Sequence, residues 1–168
     1  VAGHLIGFDT IFMQAWRVRE QIMWLAEKIT GNRKTYGMIV IGGVRRDFTP
    51  EMMDELLKVL ANVEKETIVI HKAVAGDTAI HKRTKGVGAI SREDTIRWSL
   101  VGPVARARGV DIDARRDHPY AAYDEIKFDV PVVDTMDVWG TVLVRILEIY
   151  ESIKIIRQAV EKMPNDGP

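Results

Sequence analysis

DVWGTVLVRILEIYESIKIIRQAVEKM, residues 137–163, carries the longest regular pattern in the chain. Val138, Val142, Ile146, Ile149, Ile153, Ile156 and Val160 recur at three- and four-residue spacing, which lines them up along one side of an α-helix. Glu148, Glu151, Lys154, Arg157 and Glu161 take the other side. A helix this long is stabilised mainly by covering its apolar stripe with other elements. The stretch therefore sets the fold class: mainly α and multihelical, with one or two short β-strands elsewhere. Behind it, Pro164-Asn165-Asp166-Gly167-Pro168 reads as a terminal turn.

Upstream elements follow the same logic. Phe12, Trp16, Met23, Ala26 and Ile29 fall near helical spacing, with Arg17, Arg19, Glu20, Glu27 and Lys28 between them, so Trp16 and Met23 are expected in a core. That helix should stop at Thr30-Gly31-Asn32, where glycine supplies a left-handed cap. Thr49-Pro50-Glu51-Met52 is a helix start, with Thr49 as cap and Pro50 in the first turn. Met53, Leu56, Leu57, Leu60 and Val63 form its apolar face, which runs on through Ile70 and Val74 to Gly76. Residues 77–100 read as two short helices split by Lys85-Gly86-Val87-Gly88, the second capped by Ser91 with Asp94 three residues on.

Strand signals are weak. Met38-Ile39-Val40-Ile41 suggests a short buried strand ending in the Gly42-Gly43 turn. Arg45 and Arg46 behind that turn could join its backbone N–H groups in holding an anion, or could simply be surface charges. No phosphate-binding glycine fingerprint is present. Phe128-Asp129-Val130-Pro131-Val132-Val133 alternates, but Pro131 limits it to an edge strand at best. Residues 101–111, VGPVARARGVD, read as a loop bounded by Gly102-Pro103.

Composition narrows the function. A chain of 168 residues suits a single helical unit over 1–168. Zero net charge argues against nucleic acid as a partner. No apolar run reaches the roughly 18 residues of a membrane span. Cysteine is absent, which removes disulfides and thiolate metal sites from this chain. His71 and His81 lie ten residues apart without a histidine partner, so no metal site is expected. The chain opens directly on a helical pattern, so it is expected to be an internal fragment of a longer polypeptide.

The densest chemistry lies in GVDIDARRDHPYAAYDE, residues 109–125. Asp111, Asp113, Arg115, Arg116, Asp117 and His118 crowd together, followed by Pro119, Tyr120 and Tyr123. Mixed charge at this density does not suit a helix face and is expected in a shaped, partly buried loop where each charge finds a partner. Arg106 just upstream adds to the excess of basic groups, making the region a candidate cavity wall. A salt-bridge knot without function would show the same composition.

Four stretches in fixed order carry a resemblance: WRVREQIMWLAEKITGNR (16–33), IGGVRRDF (41–48), VGPVARARGVDIDARRDHPYAAYDE (101–125) and residues 137–163. Together they resemble the middle of the large catalytic subunit of membrane-bound, energy-converting nickel–iron hydrogenases (formate hydrogenlyase-type). They also resemble the related 49-kilodalton-type subunit of respiratory complex I. Val18 and Arg108 depart from the pattern, which more often has an acidic residue and a small residue there.

The resemblance implies a hydrogenase large-subunit-like fold and an oxidoreductase role. In the hydrogenase reading, the intact subunit interconverts protons and hydrogen, coupled to ion translocation. A Ni–Fe centre would be held by cysteine pairs outside this chain, so the chain alone is expected to be inactive. The alternatives are an NADH-quinone or ferredoxin-linked subunit lining an acceptor cavity, or a non-catalytic scaffold. The resemblance places a cavity carboxylate at Asp113; Arg115, two residues on, is the neighbouring cation that could tune it for proton handling. Arg106, Arg116, Asp117, His118, Tyr120, Arg45 and Arg46 are expected around the cavity or its loops. Implied partners are a small iron–sulfur subunit with a 4Fe–4S cluster, a 30-kilodalton-like subunit and membrane subunits. The implied place is the peripheral arm, on the cytoplasmic side of the membrane. A fragment of such a subunit should also expose apolar surface and self-associate.

Overall fold

The computed structural model describes residues 2–35 and 37–163. The terminal turn expected at 164–168 lies outside them. Among the described residues the chain is mainly α: α1 (Ala2–Leu5), α2 (Asp9–Thr30), α3 (Pro50–Gly76), α4 (Thr78–Thr84), α5 (Arg92–Arg97), α6 (Gly102–Arg106), α7 (Ala114–Asp117) and α8 (Val138–Lys162). Two two-residue strands, β1 (Ile39–Val40) and β2 (Gly43–Val44), form the one sheet among them. The chain divides into two compact units, Val1–Ala73 and Val74–Pro168. No described helix is long and apolar enough to cross a membrane.

In the first unit, α2 and α3 are antiparallel. Arg17 pairs with Glu66 at 2.8 Å, Asn62 Nδ2 donates to Gln21 Oε1 at 2.6 Å, and Lys28 pairs with Glu55, so rising numbers on α2 meet falling numbers on α3. Gly31 ends α2 in the left-handed region at φ 80°, and its N–H donates to the carbonyl of Glu27. Thr49 caps α3 through its hydroxyl, which accepts from the N–H of Met52 at 3.3 Å. The buried residues of α3 include Leu56, Leu60, Val63 and Thr67.

The apolar face expected for α2 forms in part. Ile29 is buried as expected and Phe12, Met23 and Ala26 are half-buried, but Val18 and Leu25 are buried too and Trp16 is 50% exposed. Trp16 sits two residues, about 200° around the helix, from Val18, so burying one turns the other outward. Guanidinium and ammonium groups cover part of the exposed indoles: Arg19 stands 5.4 Å from the Trp16 ring centre and Lys28 5.1 Å from that of Trp24. In the isolated chain, Val18→Ala should therefore cost about 1.5 kcal/mol. Trp16→Ser should change stability by no more than about 0.5 kcal/mol. Urea denaturation of both variants checks the assignment.

The strand at 38–41 forms but is not buried. β1 pairs antiparallel with β2, Ile39 opposite Val44 and Val40 opposite Gly43, and all four residues are exposed. Two-residue strands offer too little surface to cover themselves.

The second unit is built on α8. Its buried residues are Gly140, Val144, Ile146 and Ile153, while Val138 and Ile149, expected on the core side, are 36% and 40% exposed. Gly140 moves the buried line around the helix. A Cβ there would come within 2.0 Å of Thr135 Oγ1 and 3.3 Å of Ala107 Cβ, so neighbouring segments cross α8 closer than any side chain permits. Residues 102–106, read from sequence as part of a loop, form α6 instead, with Pro103 near the helix start pre-setting the backbone angle. The edge strand expected at 128–133 does not form. Pro131 has no N–H to extend a ladder, and pairing survives at its end: Gly109 N donates to Val133 O and Val133 N to Arg106 O, both at 2.9 Å.

Candidate functional site

The second unit gathers its charges where α6, α7 and α8 meet. Asp113 is the N-cap of α7: its side chain accepts from the N–H of Arg115 at 3.0 Å. The charged stretch expected to avoid helix thus closes one helical turn, stabilised by its own carboxylates. Asp117 returns the bond, Oδ2 accepting from the N–H of Asp113 at 2.9 Å. Arg116 is spent on the rim, donating to Asp111 Oδ1 at 2.7 Å and Asp117 Oδ1 at 2.9 Å.

Asp113 is buried, only 7% exposed. Arg115 grips it with two bonds, Nε to Oδ1 at 2.9 Å and Nη2 to Oδ2 at 2.7 Å. The geometry is the two-pronged guanidinium–carboxylate fork, the strongest side-chain pairing available. The far side of Arg115 is covered by rings, with Phe128 at 5.0 Å and Tyr123 at 5.9 Å. The Arg115 side chain beside it holds the Asp113 carboxyl below the usual aspartate range, against the upward push of burial. Arg115 is raised in turn, chiefly by its bond to Asp113.

Arg106, also buried, stands on the other flank. Its Nη1 is 3.6 Å from Asp113 Oδ2 and donates to the carbonyl of Ile112 at 3.0 Å, while Nη2 pairs with Glu148 of α8. The result is one line of alternating charge: Arg115, Asp113, Arg106, Glu148. Arg108 behind it is 3% exposed and donates to Val104 O at 2.8 Å, Gly88 O at 3.2 Å and Thr141 Oγ1 at 3.3 Å. Arg108 thus ties three segments together.

Asp113, Arg106, Arg115, Asp117 and His118 all line one open cavity of about 530 Å³, together with Val101 and Ile112. Arg116 lies instead on an adjoining cavity that shares only Arg115 with the first. Tyr120 is 58% exposed and meets Tyr123 edge-to-face, with ring centres 5.0 Å apart. Arg45 and Arg46 belong to the first unit, where the guanidinium of Arg46 lies against Gly31.

Sequence reasoning missed Glu148, because nothing local connects it to Arg106, 42 residues away. It also missed Asp137, although an aspartate directly before an apolar helix is an N-cap signal. No cluster of three or more His, Asp or Glu able to hold a metal occurs among the described residues. His81 meets the Trp139 ring edge-on, with ring centres 4.5 Å apart.

Comparison with known proteins follows the same residues. The family described as "Respiratory-chain NADH dehydrogenase, 49 Kd subunit" matches residues 6–168. The D-type subunit of NADH-quinone oxidoreductase from Bacillus mycoides is 38% identical over 99% of this chain and 48% of its own length. The C/D-type subunit (number 2) of the same enzyme from Aquifex aeolicus is 40% identical over 97% of this chain and 28% of its own length. The D-type subunit from Clostridium beijerinckii is 40% identical over 95% and 43%. The chain thus spans less than half the length of these relatives. The matches fall on the complex I branch, and they do not show the hydrogenase branch expected first. The chain belongs to the family of the 49 Kd subunit of respiratory-chain NADH dehydrogenase.

Proposed function

We propose that the chain is part of an NADH-quinone-type oxidoreductase subunit, and that the Asp113 centre is a charged wall of its electron-acceptor cavity. The carrying observation is a buried carboxylate held between two guanidiniums at the edge of a cavity. Reduction of an acceptor adds negative charge, and fixed cations beside the cavity stabilise it. In this arrangement Asp113 is an anion that sets the orientation of Arg115 and Arg106. It acts as a charge relay: a proton would reach it only if the Arg115 fork opened. Replacing Asp113 by Asn in the intact complex should lower turnover by about tenfold or more, or ~1.4 kcal/mol in barrier, with assembly unchanged. Full turnover in that variant rejects the assignment.

The name of the Aquifex relative, which joins C and D types in one subunit, supports a 30-kilodalton-like partner. Family membership supports further partnership with a small iron–sulfur subunit bearing a 4Fe–4S cluster and with membrane subunits. It likewise supports a place in the peripheral arm, on the cytoplasmic side. A hydrogenase reading keeps the support of two motifs, Arg115-Arg116-Asp117-His118-Pro119-Tyr120 and Gly42-Gly43-Val44-Arg45-Arg46-Asp47, which resemble that branch more closely. The chain's own residues do not fit a Ni–Fe centre, since they include no cysteine. Nickel analysis of the intact complex separates the two readings: nickel favours the hydrogenase, its absence the quinone type.

A further inference from the structure

Arg106 serves two carboxylates and satisfies only one. Its Nη2 is committed to Glu148, and its Nη1 donates one N–H to Ile112 O at 3.0 Å and stands 3.6 Å from Asp113 Oδ2, with its second N–H still available for that oxygen. Asp113 Oδ1 already accepts two bonds, from the N–H and the Nε of Arg115, whereas Oδ2 accepts a single one from Arg115 Nη2. Oδ2 therefore keeps acceptor capacity on the side of Arg106. Arg106 is 7% exposed, and its Nε is buried without a partner, so a change of orientation sacrifices no bond at that atom and can gain one. Glu148 is the more accessible end of the line, its side chain 21% exposed against 6% for Asp113.

We infer that Glu148 is a positioning residue for the Asp113 centre: its carboxylate holds Arg106 off Asp113, and neutralising it lets the guanidinium close onto Oδ2. The charge felt at the cavity is then set from the opposite face of the line, by whatever neutralises or engages Glu148 on α8. One buried cation shared by two anions is a two-position element. Its balance shifts only by differential attraction to the two ends. The inference rests on the reading of Asp113 as the charge centre of the cavity.

The test is the titration of the Asp113 carboxyl by carbon-13 NMR in the full chain, compared with Glu148→Gln. The glutamine keeps the size and one acceptor oxygen of Glu148 but not its charge. Arg106 freed from Glu148 should favour the ionised form of Asp113, so its titration midpoint should fall below the wild-type value. Loss of a nearby negative charge would act in the same direction through space. Arg106→Gln therefore supplies the control: in that background the Glu148→Gln shift should shrink to its through-space part, well below the shift seen with Arg106 present. An unchanged midpoint, or an equal shift without Arg106, overturns the inference. If Arg106→Gln does not fold, coupling across a new hydrogen bond from Arg106 Nη1 to the Asp113 carboxyl in Glu148→Gln alone decides it. Its appearance supports the relay, and its absence overturns it. These readouts do not use turnover, so the relay can fail while the role of Asp113 stands, and the reverse.

Discussion

Asp137→Ala is expected to lower the unfolding free energy of the chain by about 3 kcal/mol. Asp137 is 6% exposed and accepts three bonds: from Gly140 N–H at 2.9 Å, Gly86 N–H at 2.8 Å and Thr135 Oγ1 at 2.8 Å. Loss of the N-cap alone costs about 1 kcal/mol. Two further donors are left without their acceptor, at about 1 kcal/mol or more each. Urea denaturation measures the total, and hydrogen exchange should accelerate first at the Gly86 and Gly140 amides. Asp137 also gives the effect a pH signature. Burial pushes its carboxyl up, but the Gly140, Gly86 and Thr135 donors more than offset this and hold it below the ordinary value of 3.8. A folded pKa below the unfolded one means the stabilisation is complete above about 3.8 and is lost as pH falls through the folded value. The Ala variant should therefore lose less stability on acidification than the wild type. An equal acid limb in both proteins contradicts this account.

Gly140→Ala is the second large effect, expected at about 2 kcal/mol of destabilisation. In an exposed helix the change would stabilise by up to ~1 kcal/mol. Here the new methyl would sit 2.0 Å from Thr135 Oγ1 and 3.2 Å from Val133 Cγ2. Thr135 can turn away, but only by giving up its bond to Asp137. Ala107 lies just behind and is fully buried, so the backbone has little room to yield. Overpacking of this kind costs ~1–3 kcal/mol. Thermal or urea unfolding of Gly140→Ala should thus give the opposite sign to the intrinsic helix preference. A neutral or stabilised variant would mean that α8 can move away from its neighbours.

The residues that were legible in sequence share one property: their partners are close along the chain. The Gly31 cap, the Thr49 start, the Ser91 cap and the length of α8 all depend on groups within a few positions. The pairing of Asp113 with Arg115 belongs here too, two residues apart. What failed depended on choosing between two faces. In α2, Ile29 is legible from its spacing, but only packing shows that Val18 and Leu25 are covered and that Trp16 turns outward. Hydrophobicity alone ranks the tryptophans first. Strand 39–40 was recognised by composition but has nothing to lie beneath. In the candidate site, the helical pattern puts Glu148 among the solvent-side charges, because its partner is 42 residues upstream. The role of Asp113 was reached only through family resemblance, since its composition alone fits a structural knot equally well.

The bond between Gly86 and Asp137 has a kinetic side. It joins positions 51 residues apart and completes the first turn of α8 only when the segment around Gly86 has arrived. Val138 N–H donates to Val87 O at 3.0 Å and Ile90 N–H to Met136 O at 3.0 Å across the same gap. Closing so long a loop costs chain entropy before any of these bonds forms. Contacts of that sequence separation slow folding and make it cooperative. The first turn of α8 is therefore completed by non-local contacts, although the rest of the helix is locally encoded.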